Sequence, residues 1–389
     1  MNKLTKEEFK SFKDNTLNHD YNTWTKNYKM ASSVIIETNK KDIIGIATQG
    51  QPFIDQPQTI SEHHIFRIAS ISKTIVAIRI MQLVEAGKLF LDEDISHYLG
   101  YDVRNPLYPQ DAITLRMLLT QTSSLEDVGE HGKGYEGVNE HEDYVALKDV
   151  LCPDGACYAE GTWSRYKPGT HWSYANFGCG ILACIIECVT HVSFFSQIKD
   201  ELLKPMGIET GFKASELPNS SLVAGHYTYD EEQDSFHLYR DYQKFVAHQN
   251  PYYPLGNNFR GIAGGLFISP YDLSKIMRML MNYGTFEGKR YLQKETVKLM
   301  ETIQWEGVSD DPTYRAKGLQ MIILDQFTKE PLKGHFGNAY GLRSFMLYTH
   351  TEGFIFISGG ANFLNDVNHM TILQENLIKF LVERTPVKL

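Results

Sequence analysis

The chain has 389 residues, 42% of them apolar and 22% charged, enough to bury a large core without disulfides or metals. Its net charge of −9 at pH 7 is spread along the chain and excludes the clustered Lys and Arg that phosphate binding needs, so nucleic acid is not an expected partner. Five cysteines, an odd number, do not suggest a disulfide framework.

At the start, Thr5-Lys6-Glu7-Glu8 forms a capping box, and Leu4, Phe9, Phe12 and Leu17 give a sparse apolar stripe. A surface helix is predicted there, within a lead-in of residues 1–30. No opening stretch reads as a signal peptide and no run reaches the length of a membrane span, so the expectation is a cytoplasmic protein.

Two β-branched runs, Ser32 to Glu37 and Asp42 to Ala47, flank Asn39-Lys40-Lys41 and predict a β-hairpin. A helix is predicted from about Ser70 to Ala86, with Ile71, Ile75, Ile78, Met81 and Leu83 on one side and Gly87 as its stop. From Asp111 to about Ile198 the pattern is mostly helical, broken by loops at Glu126 to Asp143 and Cys152 to Thr170. Cys152 and Cys157 flank a turn and read as free thiols, while Cys179, Cys184 and Cys188 read as small hydrophobes in the apolar run Gly178 to Val189.

The segment Gly225 to Phe259 is dense in Tyr, His and Phe and long for a connection; it is either a pocket wall or a surface excursion. A helix follows at Tyr271 to Tyr283. Strands are predicted at Gly318 to Leu324, Leu332 to Gly337, Leu342 to Tyr348 and Gly353 to Ser358, and a last helix from about Asn365 to Glu383. The fold class is α/β in the broad, α+β sense. One antiparallel sheet forms from both chain ends and is flanked by helices, with a mainly helical lobe inserted over roughly residues 100–260. Residues 31–389 are read as a single catalytic domain.

The chemistry centres on Ser70-Ile71-Ser72-Lys73, a Ser-x-x-Lys motif. A serine hydroxyl needs a neighbouring base to attack, and residues three apart on a helix share a face. Two further copies, Ser164-Arg165-Tyr166-Lys167 and Ser196-Gln197-Ile198-Lys199, show that the motif alone is weak. Ser70 differs because it opens a strongly apolar helix right after the strand-like run His64-Ile65-Phe66-Arg67. Tyr174-Ala175-Asn176 follows a Pro168-Gly169 turn, and His335-Phe336-Gly337-Asn338 ends a predicted strand.

With Ser-x-x-Lys, Tyr-x-Asn and His-x-Gly in this order, the chain resembles the serine β-lactamase and penicillin-binding-protein-like hydrolases, in particular the class C-like branch with esterases and D-amino-acid peptidases. Leu118 to Leu125, Gly264-Gly265-Leu266 and Gly87-Lys88-Leu89 agree in order and spacing. The resemblance implies a β-lactamase/transpeptidase-like fold and a set of roles. Ser70 would attack the carbonyl, Lys73 would hold or pass its proton, and Tyr174 would act as general base and help activate water. Asn176 would orient Lys73 and the substrate amide. The N–H groups of Ser70 and Asn338 would form the oxyanion hole, with Gly337 admitting the substrate backbone and His335 supplying a donor near Tyr174.

Phe336 stands where the family usually has a small residue, often Thr or Ser, whose hydroxyl helps hold a substrate carboxylate. Phe336 cannot donate a hydrogen bond, so if its side chain faces the pocket a carboxylate-bearing substrate loses a partner, which favours an esterase, or a D-amino-acid peptidase or amidase, over a β-lactamase or D,D-carboxypeptidase. Gln121 and Ser124, in place of a usual His and Gly, read as structural variation. The expected partner is a small-molecule ester, amide or D-amino-acid peptide, with no cofactor. The patch His131, Glu136, His141, Glu142 and Asp143 fits no metal motif and reads as a solvated loop. A non-catalytic sensor or scaffold is the alternative of another class; a degenerate motif set would be its signature, and all three elements are present.

Overall fold

The computed structural model describes residues 17–139, 143–214, 217–242, 253–307, 315–362 and 370–384. The eight strands of the main sheet are β1 (Met30–Asn39), β2 (Ile43–Gly50), β3 (Trp305–Glu306), β4 (Ala316–Lys317), β5 (Ile322–Leu324), β6 (Leu332–Ala339), β7 (Leu342–Tyr348) and β8 (Glu352–Ala361). They run in the order β3-β4-β5-β6-β7-β8-β1-β2, every neighbour antiparallel. Both chain ends therefore build one sheet. Its register sets Ile35 of β1 between Phe356 of β8 and Ala47 of β2.

Strand alternation sends neighbouring side chains to opposite faces, and both faces are covered. Val34, Ile36, Met346, Tyr348, Ile355 and Ile357 join the large helical core on one side. Ile35, Phe336, Phe345, Leu347, Phe354 and Phe356 pack on the other side against Leu373, Leu377 and Leu381 of the C-terminal helix. Burial on both faces is why these strands read as continuous apolar runs. Each fully buried aliphatic or aromatic side chain contributes about 1.5–3 kcal/mol.

Among the described residues, four long helices are α1 (Ser72–Glu85), α2 (Asn176–Thr190), α3 (Pro270–Met281) and α4 (Ile372–Arg384). α1 is buried on nearly every side, Ser72 to Ile78 included, so the one-sided stripe expected from its sequence understates its burial. Its end closes as predicted: Gly87 adopts φ 66° and the Lys88 N–H bonds back to Leu83 O at 2.9 Å. α2 carries Cys179 and Cys184 fully buried, and all five cysteines are free thiols. No single described helix is long and apolar enough to cross a membrane.

Several elements differ from expectation. Of the predicted strand Gly318 to Leu324, only Ile322–Leu324 (β5) is strand; Gly318 to Met321 form the tight turn that joins it to β4. Gly318 sits so close to Met300 that a Cβ there would lie 2.1 Å from its carbonyl oxygen, and Gln320 takes φ 51°. The predicted loop Glu126 to Asp143 contains a helical turn at Gly134–Asn139. Most of the predicted N-terminal helix lies outside the described residues. Its end, residues 17–24, is helical and not superficial, since Leu17 and Tyr21 are fully buried beneath the sheet. The last helix is described from Ile372; residues 365–369 lie outside the described set.

Candidate active site

The segment that carries Ser70 runs from the strand pair Phe66–Arg67/Phe267–Ile268 into a 3₁₀ turn, Ala69–Ile71, and then into α1. Ser70 thus precedes the α-helix by a tight turn of its own, where a simple helix start was expected. Ala69 holds φ 51°, a left-handed conformation that costs a non-glycine residue roughly 1–2 kcal/mol. Ser72 anchors the turn: its Oγ donates to Ala69 O at 2.7 Å and accepts from Leu266 N at 3.1 Å. Such strain persists where the surroundings over-determine it, and it is found at functional sites.

The turn is clamped from the other side by β6. A Cβ on Gly337 would lie 2.4 Å from Ile68 O and 2.3 Å from Ser344 Oγ, so only glycine permits this approach. β5 pairs with β6 only over Leu332 to Gly334, and beyond that point no described strand flanks β6 on that side. This stretch of strand edge runs beside Ser70.

Lys73, one turn into α1, is fully buried. Its Nζ donates to Ser70 Oγ at 2.9 Å, to Asn176 Oδ1 at 2.7 Å and to Ala263 O at 3.2 Å. All three ammonium hydrogens are engaged, as a buried charge requires. Tyr174 Oη lies 2.8 Å from the same Ser70 Oγ, and the Lys73 ammonium stands 4.9 Å from the Tyr174 ring centroid. Tyr174 and Asn176 come from the segment entering α2. The structure therefore gathers these residues from two distant parts of the chain, with Lys73 and Tyr174 on the Ser70 oxygen and Asn176 joined to it through Lys73.

Asp127, which sequence reasoning passed over, completes this cluster. Its carboxylate accepts from Asn176 N at 2.6 Å, Asn176 Nδ2 at 2.7 Å and Phe177 N at 2.8 Å. Burial pushes the carboxyl up from the usual range, against these N–H donors and the Lys73 charge, which hold it down. A signal did exist in the sequence. Ala175 at the N-cap of α2 has no side-chain cap, so a long apolar helix begins with N–H groups that some other residue must satisfy.

These residues line an open cleft of about 290 Å³. Ser70, Asp127, Tyr174 and Asn176 share it with Tyr135, Glu136 and Asn139 from the loop after Asp127, with Gly261, Ala263 and Gly264, and with Phe336 to Tyr340 of β6 and its turn, Gly337 excepted. Lys, Arg and His are absent from the lining among the described residues, whereas Asp127 and Glu136 both contribute to it. Glu136 is raised by burial and by the Asp127 charge.

Asn338 lines the cleft, and its side chain is tied to Gln374 of α4 by bonds of 3.1 and 2.7 Å. His335 is fully buried in the sheet, with Nδ1 2.6 Å from Phe336 O, and it is not part of the lining. The Phe336 ring is 2% exposed and packs edge-on against Phe345, 6.3 Å between centroids, on the α4 side. Of the acid- and His-rich patch, His141 and Glu142 lie outside the described residues. No group of three or more metal-ligating side chains occurs among the described ones.

The rival serines have local bonds of their own. Ser164 Oγ accepts from Tyr166 N at 3.3 Å, and Ser196 Oγ bonds to Ser193 Oγ at 3.1 Å in a helix cap. The segment after Gly225 forms an outer hairpin, His226–Asp230 with Ser235–Arg240. It lies behind the cleft: Tyr239 packs 6.0 Å from the lining residue Tyr340, and Arg67 lies between Tyr340 and Tyr242, 4.5 and 5.6 Å from their centroids. Residues 243–252 of that segment lie outside the described set.

An antiparallel sheet built from both chain ends, with a serine turn clamped between its strand edge and a helical region, is the β-lactamase/transpeptidase-like fold. The family model described as Beta-lactamase matches residues 27–358, and the chain belongs to that family of β-lactamase-like and penicillin-binding-protein-like hydrolases. Among curated relatives, Protein Rv1367c of Mycobacterium tuberculosis is 26% identical over 290 residues, covering 70% of this chain and 68% of that protein. Penicillin-binding protein 4* of Bacillus subtilis is 25% identical over 210 residues, 53% of this chain and 44% of that protein. Among solved structures, the D-amino acid amidase of Ochrobactrum anthropi SV3 complexed with L-phenylalanine amide superposes with a TM-score of 0.70 at 16% identity, covering 94% of this chain and 96% of that one. The octameric penicillin-binding protein homologue from Pyrococcus abyssi gives 0.68 at 22% identity, covering 92% and 74%. At these identities the structures establish the fold.

Proposed function

We propose that this protein is a serine hydrolase that cleaves esters or amides, including D-amino-acid amides or peptides, through an acyl-enzyme on Ser70. The observation that carries the reading is the position of Ser70 Oγ, 2.9 Å from Lys73 Nζ and 2.8 Å from Tyr174 Oη at the mouth of a cleft. Ser70 attacks the substrate carbonyl carbon and its proton leaves to a neighbouring base. With all three Lys73 hydrogens already committed to acceptors, the Tyr174 oxygen, 2.8 Å from Ser70 Oγ, is the base in reach. Tyr174 then returns the proton to the leaving alcohol or amine. In the second half it takes one from the water that attacks the acyl carbon, and passes it to Ser70 Oγ as the bond between that carbon and Oγ breaks and the acid leaves. Ser70 N–H and Asn338 N–H, on the turn and the strand edge, serve as donors to the oxyanion.

The lining supports the choice of substrate class. A carboxylate-bearing substrate such as a β-lactam or a D,D-peptide would meet Asp127 and Glu136 without a Lys, Arg or His among the described lining residues to offset them. Phe336 adds no hydroxyl. A neutral acyl donor meets no such repulsion, and one with a free ammonium group gains attraction. The similarity in fold to a D-amino acid amidase agrees with this.

The test uses a short-chain p-nitrophenyl ester, a D-amino-acid amide and a chromogenic cephalosporin, with turnover and intact mass recorded. Wild type is expected to turn over the ester or amide and not the cephalosporin. Ser70→Ala should abolish turnover with the fold intact, and Tyr174→Phe should cost far more rate than Ser164→Ala. Normal turnover by Ser70→Ala would sink the assignment, and rapid cephalosporin hydrolysis would make the protein a β-lactamase.

A further inference from the structure

The cluster around Ser70 depends on an amide standing the right way round. Asn176 presents its oxygen to the Lys73 ammonium at 2.7 Å and its NH₂ to Asp127 at 2.7 Å. A carboxamide rotated by half a turn would occupy the same volume but set its NH₂ against the ammonium, donor facing donor. Nothing in the shape of an asparagine side chain prevents that rotation. A carboxylate at 127 does, because it accepts and never donates.

We propose that Asp127 is a positioning residue: by accepting the Asn176 NH₂ it fixes the Asn176 oxygen on Lys73, and through Lys73 it sets the environment of the Ser70 hydroxyl. This rests on the serine-hydrolase reading above. The arrangement has a second feature that separates it from ordinary helix capping. Asp127 also accepts the main-chain N–H groups of Asn176 and Phe177, which is a capping role and bears on stability. Capping and amide orientation use the same carboxylate yet respond differently to substitution.

Asp127→Asn keeps the size and one acceptor oxygen, but puts an NH₂ where an acceptor stood. With that NH₂ in the place of Oδ2, which accepts both Asn176 bonds, Asn176 either loses its bond to residue 127 or flips and turns its NH₂ on Lys73; with it in the place of Oδ1, only the Phe177 N–H loses its acceptor. Adding Asn176→Asp to that variant removes the problem of orientation, since both oxygens of an aspartate accept. One takes the Lys73 bond and the other takes the NH₂ of the amide introduced at position 127. Asn176→Asp alone sets two carboxylates face to face.

The experiment measures the rate of Ser70 acylation by an uncharged fluorophosphonate probe, with the adduct located by peptide mass and the melting temperature recorded alongside. Asp127→Asn is expected to acylate about 10- to 100-fold more slowly, the loss that goes with one misdirected charge-assisted bond, and ester KM should move little. The double variant should recover most of the rate without recovering the melting temperature, because an NH₂ then stands where Oδ2 accepted the main-chain N–H of residue 176. Wild-type acylation by Asp127→Ala, which leaves no acceptor for the Asn176 NH₂, or a double variant no faster than a slowed Asp127→Asn, would overturn the proposal. Wild-type protein that takes no probe on Ser70 would overturn the serine reading instead. The amide is then read by neutron diffraction from wild-type crystals, which needs no variant to fold. Asn176 deuterons directed at Asp127 support the proposal, and deuterons directed at Lys73 overturn it.

Discussion

Alanine in place of Gly337 puts a methyl carbon 2.4 Å from the Ile68 carbonyl oxygen and 2.3 Å from Ser344 Oγ. The serine can rotate away, at the loss of its bonds to Gly337 O at 3.0 Å and Ile68 O at 3.5 Å. The Ile68 carbonyl is main chain, two residues before Ser70, and it yields only if the turn Ala69–Ile71 withdraws from the strand edge. Ala69, already at φ 51°, leaves that turn little freedom to adjust otherwise. An ordinary contact needs a withdrawal of about 1 Å, and a misplacement of that size costs about 100-fold in rate. The displacement falls between Ser70 and the Asn338 N–H, the two proposed oxyanion donors. Stability should fall by about 1–3 kcal/mol, the usual result of forcing a methyl into a packed site. Stopped-flow acylation with a p-nitrophenyl ester and urea unfolding of the same samples read both quantities. An acylation rate within about twofold of wild type would refute the clamp, since it would show that turn and strand separate without consequence.

Phe336→Thr, which restores the small hydroxyl residue common in the family, should destabilise the protein by about 3 kcal/mol and confer no cephalosporin turnover, because the ring fills the core between the sheet and α4. Urea unfolding and a chromogenic cephalosporin check the two halves, and a gain of hydrolysis without loss of stability would show that the ring belongs to the cleft. His226 is fully buried against Tyr242 and near Arg67; burial first, and the Arg67 charge second, lower it from 6.5 to about 3. A depressed histidine contributes stability above its unfolded value that is lost as pH falls, here across the window from 6.5 to about 3. Between pH 6.5 and 5 the loss is about 2 kcal/mol, and His226→Gln should flatten that slope in urea titrations at pH 7.5 and 5. Parallel losses in variant and wild type would exclude His226 as the source.

Local patterns in the chain were enough for the order of the motifs, the serine, and most of the elements that carry it. Hairpin Met30–Gly50, helix α1 with its glycine stop, and strands β6 to β8 follow from β-branched runs, apolar spacing and turn residues, each legible within a short window. Ser70 stood out from Ser164 and Ser196 by its setting, a strand leading into an apolar helix. Packing of distant segments settled what such windows do not encode. It made the first half of Gly318 to Leu324 a turn and left only Ile322–Leu324 as strand, because the close approach of Met300 demands a turn there. It placed Phe336 in the core and His335 inside the sheet, since the face a strand residue takes is set by what covers the sheet. It also brought in Asp127, two residues past the Leu118 to Leu125 signature, because the N–H groups that open α2 are satisfied across 49 residues of chain, and that pairing exists only after folding.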